Sequence, residues 1–221
     1  IYRYYDLLPE DIDHSDMKSY QWIFSPRFSL TYNLSDRLML FSSLSHGFSA
    51  PSYEETLNAS GFVDGTIEPE TGWNREIGIR GRYWNNRLFF KSSAYSIAVN
   101  DLLVTKRPAQ DEFYKINAGK TMHNGLEAMS RIRWLQTSFI SSILNINYTY
   151  ADYRFSDFKD EGNDYSGNYL PGIPRHKVSV EFNIDLPYGG YIEANWLGVD
   201  QMSMNDANTL YSDPYQRLNL K

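Results

Sequence analysis

Residues 177–186, KVSVEFNIDL, put Val178, Val180, Phe182, Ile184 and Leu186 on every second position, with Lys177, Ser179, Glu181, Asn183 and Asp185 between them. A strand sends alternate side chains to opposite faces, so this segment has one apolar face and one polar face. The pattern recurs. Trp22, Phe24, Pro26, Phe28, Leu30, Tyr32 and Leu34 oppose Ser25, Arg27, Ser29, Thr31 and Asn33. Leu38, Leu40 and Leu44 follow, and then Trp73, Ile77, Ile79 and Tyr83 oppose Asn74, Glu76, Arg80 and Arg82. Leu126, Ala128, Ile132 and Trp134 oppose Glu127, Arg131 and Arg133; Ile140, Leu144, Ile146, Tyr148 and Tyr150 come next, and Ile192, Ala194 and Trp196 close the series. A chain built this way folds as antiparallel sheet. Its apolar face meets either a protein core or lipid.

The connections decide between the two. Short turns at 35–36, 85–86, 136–137 and 187–190 alternate with long polar links near 9–18, 50–71, 101–112, 152–172 and 200–213. Tight turns at one end and long loops at the other are the pattern of an outer-membrane barrel. The strands, roughly ten including partial ones at both ends, exceed the length common in globular sheets and cover the ~9–11 residues a tilted membrane strand needs. Tyr32, Tyr83 and Trp134 lie beside short turns, whereas Trp22, Trp73, Tyr148 and Tyr150 lie beside long loops. Two such bands suit the two lipid interfaces. The negative mean hydropathy is no objection, because alternation averages the apolar band away. No run approaches the ~20 apolar residues of a spanning helix.

Composition excludes several classes. The chain has no cysteine, so disulfides, thiolate metal sites and cysteine nucleophiles are ruled out. A net charge of -6 with scattered basic residues argues against nucleic acid as a partner. IYRYYDLLPE shows no charged leader followed by an apolar core.

Four phrases carry more information: SHGFSAPSYEET at 45–56, IEPETGWNREIGIR at 67–80, INAGKTMHNGLEA at 116–128 and YLPGIPRHKVSV at 169–180. In this order and spacing they resemble the C-terminal barrel region of TonB-dependent outer-membrane receptors. The matching positions are Gly47, Phe48, Pro51 and Glu54; Pro69, Glu70, Glu76 and Gly78; Asn117, Gly119, Gly125 and Glu127; and Pro171, Gly172, Pro174 and His176. Read as residues alone, Gly47, Gly78, Gly119 and Gly125 are expected at bulges or bends without room for a side chain. The four prolines are expected where strands emerge into loops. Glu76 and Glu127 are expected to face the lumen, pairing with Arg80, Arg131 or a plug domain.

The resemblance implies a receptor that binds a scarce nutrient outside a Gram-negative cell, most often a ferric siderophore, and imports it with energy delivered through TonB. The energy acts on a plug domain inside a barrel of twenty-two strands. Residues 1–221 then form part of the barrel domain, with no plug segment. The expected structure is an open or C-shaped sheet, and a strand at Ile1–Leu7 paired with Tyr215–Lys221 would refute it. Outer-membrane lipid, the TonB complex acting through a plug, and an iron chelate are the implied partners; no cofactor and no enzyme activity are implied. Ligand contacts are expected from aromatic and basic loop residues: Tyr53, Lys106, Arg107, Tyr153, Arg154 and Tyr165. Ferric siderophore, ferric citrate, haem and a corrinoid all remain open as ligands.

Other readings compete. Each of the histidines, His14, His46, His123 and His176, sits in a distant segment. His14 lies among Glu10, Asp11, Asp13 and Asp16, which lack regular metal-ligand spacing and read as a solvated acidic loop. Met202, Met204 and the Met122–His123 pair offer soft copper ligands with no geometry linking them. A ten-stranded outer-membrane protease would pair His46 or His176 with Asp101, Asp152 or Asp157. A soluble carbohydrate-binding β-sandwich would use the aromatics as core or as sugar platforms.

Overall fold

The structure is a computed structural model that describes residues 2–3, 17–58, 60–109, 112–117, 119–160 and 162–221, with the side chains of 19–58, 60–105, 114–117, 119–160 and 162–221. The acidic stretch around His14 and most of Ile1–Leu7 lie outside the described residues. The strands are β1 (Tyr2–Arg3), β2 (Met17–Lys18), β3 (Arg27–Ser35), β4 (Leu38–Ser49), β5 (Glu70–Tyr83), β6 (Leu88–Asn100), β7 (Leu103–Ala109) and β8 (Glu112–Asn117). They continue with β9 (Lys120–Gln136), β10 (Ser141–Asp157), β11 (Lys159–Asp160), β12 (Asn163–Asp164), β13 (His176–Asp185), β14 (Tyr191–Val199) and β15 (Tyr215–Leu220). The described helices are single turns at Glu54–Thr56 and Pro187–Gly189. Among the described residues, no helix is long and apolar enough to cross a membrane.

Nine strands form one antiparallel sheet in the order β15-β14-β13-β10-β9-β6-β5-β4-β3. The sheet is open: β3 and β15 are its edges and do not pair with each other. All four expected short turns join neighbouring strands, each within a residue or two of the expected place. The remaining paired strands, β1–β2, β7–β8 and β11–β12, are small separate ribbons.

Register fixes the faces. Val178, Val180, Phe182 and Ile184 oppose Tyr148, Ile146, Leu144 and Ser142 on β10, and Gly198, Trp196, Ala194 and Ile192 on β14. This apolar face continues through Leu126 and Ala128, Ile77 and Ile79, Leu40 and Leu44, to Phe28 and Leu30. It is bare, with Leu30 71% exposed and Ile77 64% exposed. No second sheet covers it among the described residues, as a soluble sandwich would require. On the opposite face, Arg131 Nε donates to Asn145 Oδ1 at 2.9 Å, and Asn183 Nδ2 donates to Glu181 Oε1 at 2.7 Å. Glu76 lies 3.9 Å from Lys91 Nζ, while Arg80 Nε turns to the Met39 sulfur at 3.0 Å. Glu76 is therefore held across the β5–β6 pair, and the expected Arg80 partner is not used.

Three expectations need correction. The segment from Trp22 to Pro26 is not regular strand, although the Pro26 carbonyl accepts from His46 N–H at 2.9 Å and the chain runs beside β4. The link at 101–112 contains most of the β7–β8 hairpin and is not a plain polar loop. Of the four glycines, Gly78, Gly119 and Gly125 do lack room for a side chain, as expected, but none falls at a register shift. Register shifts fall at Asn33/Ser35, Ser142/Ile143 and Phe155/Asp157 in the main sheet. Gly47 has open space where a Cβ would stand. At Gly125 a Cβ would come 2.3 Å from the Tyr95 ring, so that glycine admits an aromatic ring lying flat on the polar face.

Candidate functional site: a cap of clasped loops over the polar face

The buried apolar residues are few, and several gather where the long loops meet the polar face. Phe155 and Phe158 are 3% and 1% exposed, with ring centroids 4.4 Å apart. Leu102, Val104, Ile116, Tyr165 and Leu170 pack against them. Phe155 shares the polar face of the sheet with Thr121, its partner on β9, and with Val99 on β6. The loops therefore fold inward over that face. Burying such side chains contributes roughly 1.5–3 kcal/mol each, which makes the cap a small core of its own.

Each loop has its own fastening. In the β4–β5 loop, Ser52 N–H and Ser52 Oγ donate to Glu55 Oε2 at 2.9 and 3.1 Å, a reciprocal capping arrangement around one helical turn. The Ser52 backbone hydrogen bond foremost, aided by Lys115 at 3.7 Å, holds the Glu55 carboxyl below the usual carboxylate range. That ion pair joins the β4–β5 loop to β8.

Asn117 makes a stronger join. Its Oδ1 accepts from Glu68 N–H at 2.7 Å, and its Nδ2 donates to the Glu68 carbonyl at 2.9 Å and the Asp101 carbonyl at 2.7 Å. An amide side chain thus takes the place of a neighbouring strand residue, meeting both backbone groups of Glu68. Glu70 Oε1 accepts from Leu103 N–H at 2.7 Å beside it. Two residues on, Gly119 has φ +83, and a Cβ there would stand 1.8 Å from the Asp157 carbonyl oxygen. A side chain would push the end of β10 away.

Asn208 repeats the device at the β14–β15 loop. Tyr169 N–H donates to its Oδ1 at 2.6 Å, and its Nδ2 donates to the Tyr169 carbonyl at 2.9 Å and to Ser203 Oγ at 2.9 Å. Gly172 N–H donates to the Ser203 carbonyl at 2.8 Å, placing the Pro171–Gly172 turn against the same loop. Pro69 and Pro174 lead into β5 and β13, as expected of residues without a ladder donor.

On the polar face, the Tyr95 and Tyr153 hydroxyls are hydrogen-bonded at 2.7 Å, and the His123 ring stacks on Tyr153 at 4.5 Å and 14°. Asn74 Oδ1, Ser93 Oγ, Thr121 Oγ1 and His123 Nε2 are buried there without a protein partner. A group of such atoms on one face is a place for water or a bound polar group.

Of the expected ligand set, the side chains of Tyr53, Tyr153, Arg154 and Tyr165 are described, and they lie in different surroundings. Tyr153 faces inward, half-buried. Arg154, one residue on, falls on the opposite face. Its Nε donates to Asp152 at 2.8 Å, and its guanidinium stacks 4.0 Å over the Tyr169 ring. Tyr165 belongs to the small core, 5.8 Å from Phe158. Tyr53 is half-buried in the β4–β5 loop; Lys106 and Arg107 lie on β7, and their side chains are outside those described. Tyr95 and His123 were missed, since only pairing reveals that they meet Tyr153. Met122 and His123 are consecutive strand residues with opposite faces, while His46 Nδ1 lies 2.8 Å from the Phe24 carbonyl and His176 Nδ1 lies 2.9 Å from the Tyr148 hydroxyl, so neither of these imidazole partners is an aspartate.

A family model described as TonB dependent receptor-like, beta-barrel, matches residues 2–221. The chain belongs to the TonB-dependent receptor family. This receptor chain is 24% identical over 157 residues to the ferric-pyoverdine M114 receptor PbuA of Pseudomonas sp. (strain M114), covering 71% of this chain and 18% of the relative. Among solved structures it resembles the siderophore receptor PiuA from Acinetobacter baumannii, with a TM-score of 0.65 and 18% identity over 88% of this chain and 28% of that one. It also resembles the copper transporter OprC, with a TM-score of 0.65 and 17% identity over 89% of this chain and 30% of that one. The receptor chain thus spans less than a third of the length of these relatives. Barrels of this family reside in the outer membrane of Gram-negative bacteria, so the apolar face of the sheet meets lipid and the polar face meets the lumen. The family is one of transport receptors.

Proposed function

We propose that the chain is part of a receptor that imports a ferric siderophore across the outer membrane, driven by TonB through a plug domain. The observation that carries this reading is the family match across 2–221 together with a relative named as a ferric-pyoverdine receptor. The cap geometry supports it. Tyr95, Tyr153 and His123 offer an aromatic platform on the lumen wall, beside buried polar atoms that lack protein partners. Lys106 and Arg107 on the β7–β8 hairpin and Tyr53 in the neighbouring loop add charge and aromatic surface suited to a bulky anionic chelate. Arg154 and Tyr165 contribute by holding the cap in shape.

The test is uptake of radioactive iron presented as ferric pyoverdine and as other ferric siderophores, in iron-starved cells with and without the gene. Import that requires both the gene and the proton-motive force is expected for at least one chelate. Unchanged iron uptake across the panel, with growth rescued by another nutrient, would overturn the siderophore assignment.

A further inference from the structure

Gly125 has no positive φ, so its backbone makes no demand for glycine. The demand is for space. A Cβ there would stand 2.3 Å from Cζ and the hydroxyl oxygen of Tyr95 and 2.8 Å from the Tyr150 carbonyl oxygen. The Tyr95 ring thus occupies the room a side chain would fill. Tyr95 pairs with Gly125 across β6 and β9, and Tyr153 belongs to β10 on the far side of β9. Lying over Gly125, Tyr95 crosses one strand to reach the next. Its hydroxyl meets that of Tyr153 at 2.7 Å, with the two rings edge-on at 75°. Tyr153 in turn stacks on His123, its partner on β9. Gly125, Tyr95, Tyr153 and His123 are one chain of contacts.

The lumen wall at this height has a definite chemistry. The rung of Tyr153 and His123 continues through Ile97 to Asn74, and Thr121 stands in the rung above, between Phe155 and Val99. Between β5 and β10 neither rung holds an aspartate, glutamate, lysine or arginine. The charges begin below, with Glu76, already held by Lys91, and Glu127. In the uncharged rungs Asn74 Oδ1, Thr121 Oγ1 and His123 Nε2 are buried without a protein partner among the described residues. An amide oxygen only accepts, and a hydroxyl or an imidazole nitrogen can also accept. Aromatic faces beside spare acceptors suit a planar, uncharged group that carries N–H or O–H donors.

We propose that Gly125 is a positioning residue for ligand binding. It admits the Tyr95 ring, which holds Tyr153 and His123 as a shelf for a planar, uncharged part of the chelate, an aromatic or amide group, and not for its charged metal-binding oxygens. This rests on the siderophore reading above.

Binding of radioactive iron chelates to the full-length receptor in outer membranes, with the proton-motive force collapsed, tests this. The probes are ferric pyoverdine, a linear ferric tris-hydroxamate and a ferric tris-catecholate. Tyr95→Phe removes only the hydroxyl bond and should raise Kd about fivefold for a chelate that the native receptor binds. Tyr95→Ala should raise it about tenfold. Gly125→Ala crowds the Tyr150 carbonyl in any background, but it displaces the ring only where Tyr95 is present. Its cost in Kd should therefore be clearly smaller beside Tyr95→Ala than alone. Each loss should be the same at low and high salt, as uncharged contacts require. Phe41→Ala, which empties the equivalent joint over Gly78, should leave Kd unchanged. Heat-dependent gel migration reports that each variant still forms a barrel. No binding of any probe by the native receptor overturns the siderophore reading and this inference with it. Native binding that is unchanged in both Tyr95 variants, or a Gly125→Ala cost equal in both backgrounds, overturns this inference alone. A loss in Phe41→Ala equal to that in Tyr95→Ala does the same, and losses that vanish in high salt overturn the uncharged assignment.

Discussion

Asn117 and Asn208 each satisfy both backbone groups of a residue in a neighbouring loop. Asn117→Ala leaves the Glu68 N–H and carbonyl and the Asp101 carbonyl without that partner, at a local cost of about 1–3 kcal/mol. The expected outcome is faster proteolytic cutting in the β7–β8 hairpin, with gel migration of the folded barrel unchanged. Equal cutting rates would show that the clasp is dispensable. Glu55 gives the cap a pH dependence. Its carboxyl is held low by Ser52 and Lys115, so its stabilisation is present above the ordinary value of about 4 and is lost as pH falls through the depressed one. Protection of the 50–69 loop from an acid-active protease should therefore fall only in strong acid, and Glu55→Gln should abolish that step. Protection that is flat with pH in the native protein would contradict it. The roles of these residues were only half visible beforehand. The family phrase marked Asn117, but nothing local distinguishes Asn208 from the many asparagines that loops carry, since its partner Tyr169 is distant in sequence.

At the level of strands, alternation reported the sheet well, because each strand has a lipid face and a lumen face and a one-residue slip would exchange them. Val180 sits between Ile146 and Trp196 on the lipid face. Val180→Arg should cost about 2–4 kcal/mol if it lies near mid-depth, measured by urea titration of barrel folding into vesicles. Glu181→Arg, on the lumen face, should cost clearly less, and equal costs would mean the faces are misassigned. The β7–β8 hairpin escaped because Pro108 and the charges of its strands hide any alternation, and its apolar members Val104 and Ile116 gain meaning only against Phe158. The glycines were legible only in part, as places without room, for a related reason. Sequence shows that a side chain is missing, and Tyr95 lying over Gly125 shows what occupies the room. Among candidate ligand residues, the adjacency of Tyr153 and Arg154 already implied opposite faces once a strand was assigned there, whereas the meeting of Tyr95, His123 and Tyr153 needed the register of three strands.

For the molecule as a whole, the ends of the strands assign the sides of the membrane. The chain contains no cysteine, so a single introduced one is a clean reporter. Asp64→Cys, in the cap, should react with a membrane-impermeant maleimide on intact cells, and Tyr188→Cys, 107% exposed at a short turn, should react only after the outer membrane is opened. The reverse result would invert the topology. The asparagine clasps have a further consequence at this scale. A loop joined to the sheet by ladder bonds can leave only by unzipping a strand. One held by an amide side chain and a few neighbouring contacts comes away when those break, and every strand stays paired. Rigidity of the wall and mobility of the mouth are thus separately adjustable in one chain, and a loop can be lengthened, shortened or replaced during evolution at the cost of a few fastenings, leaving the wall intact.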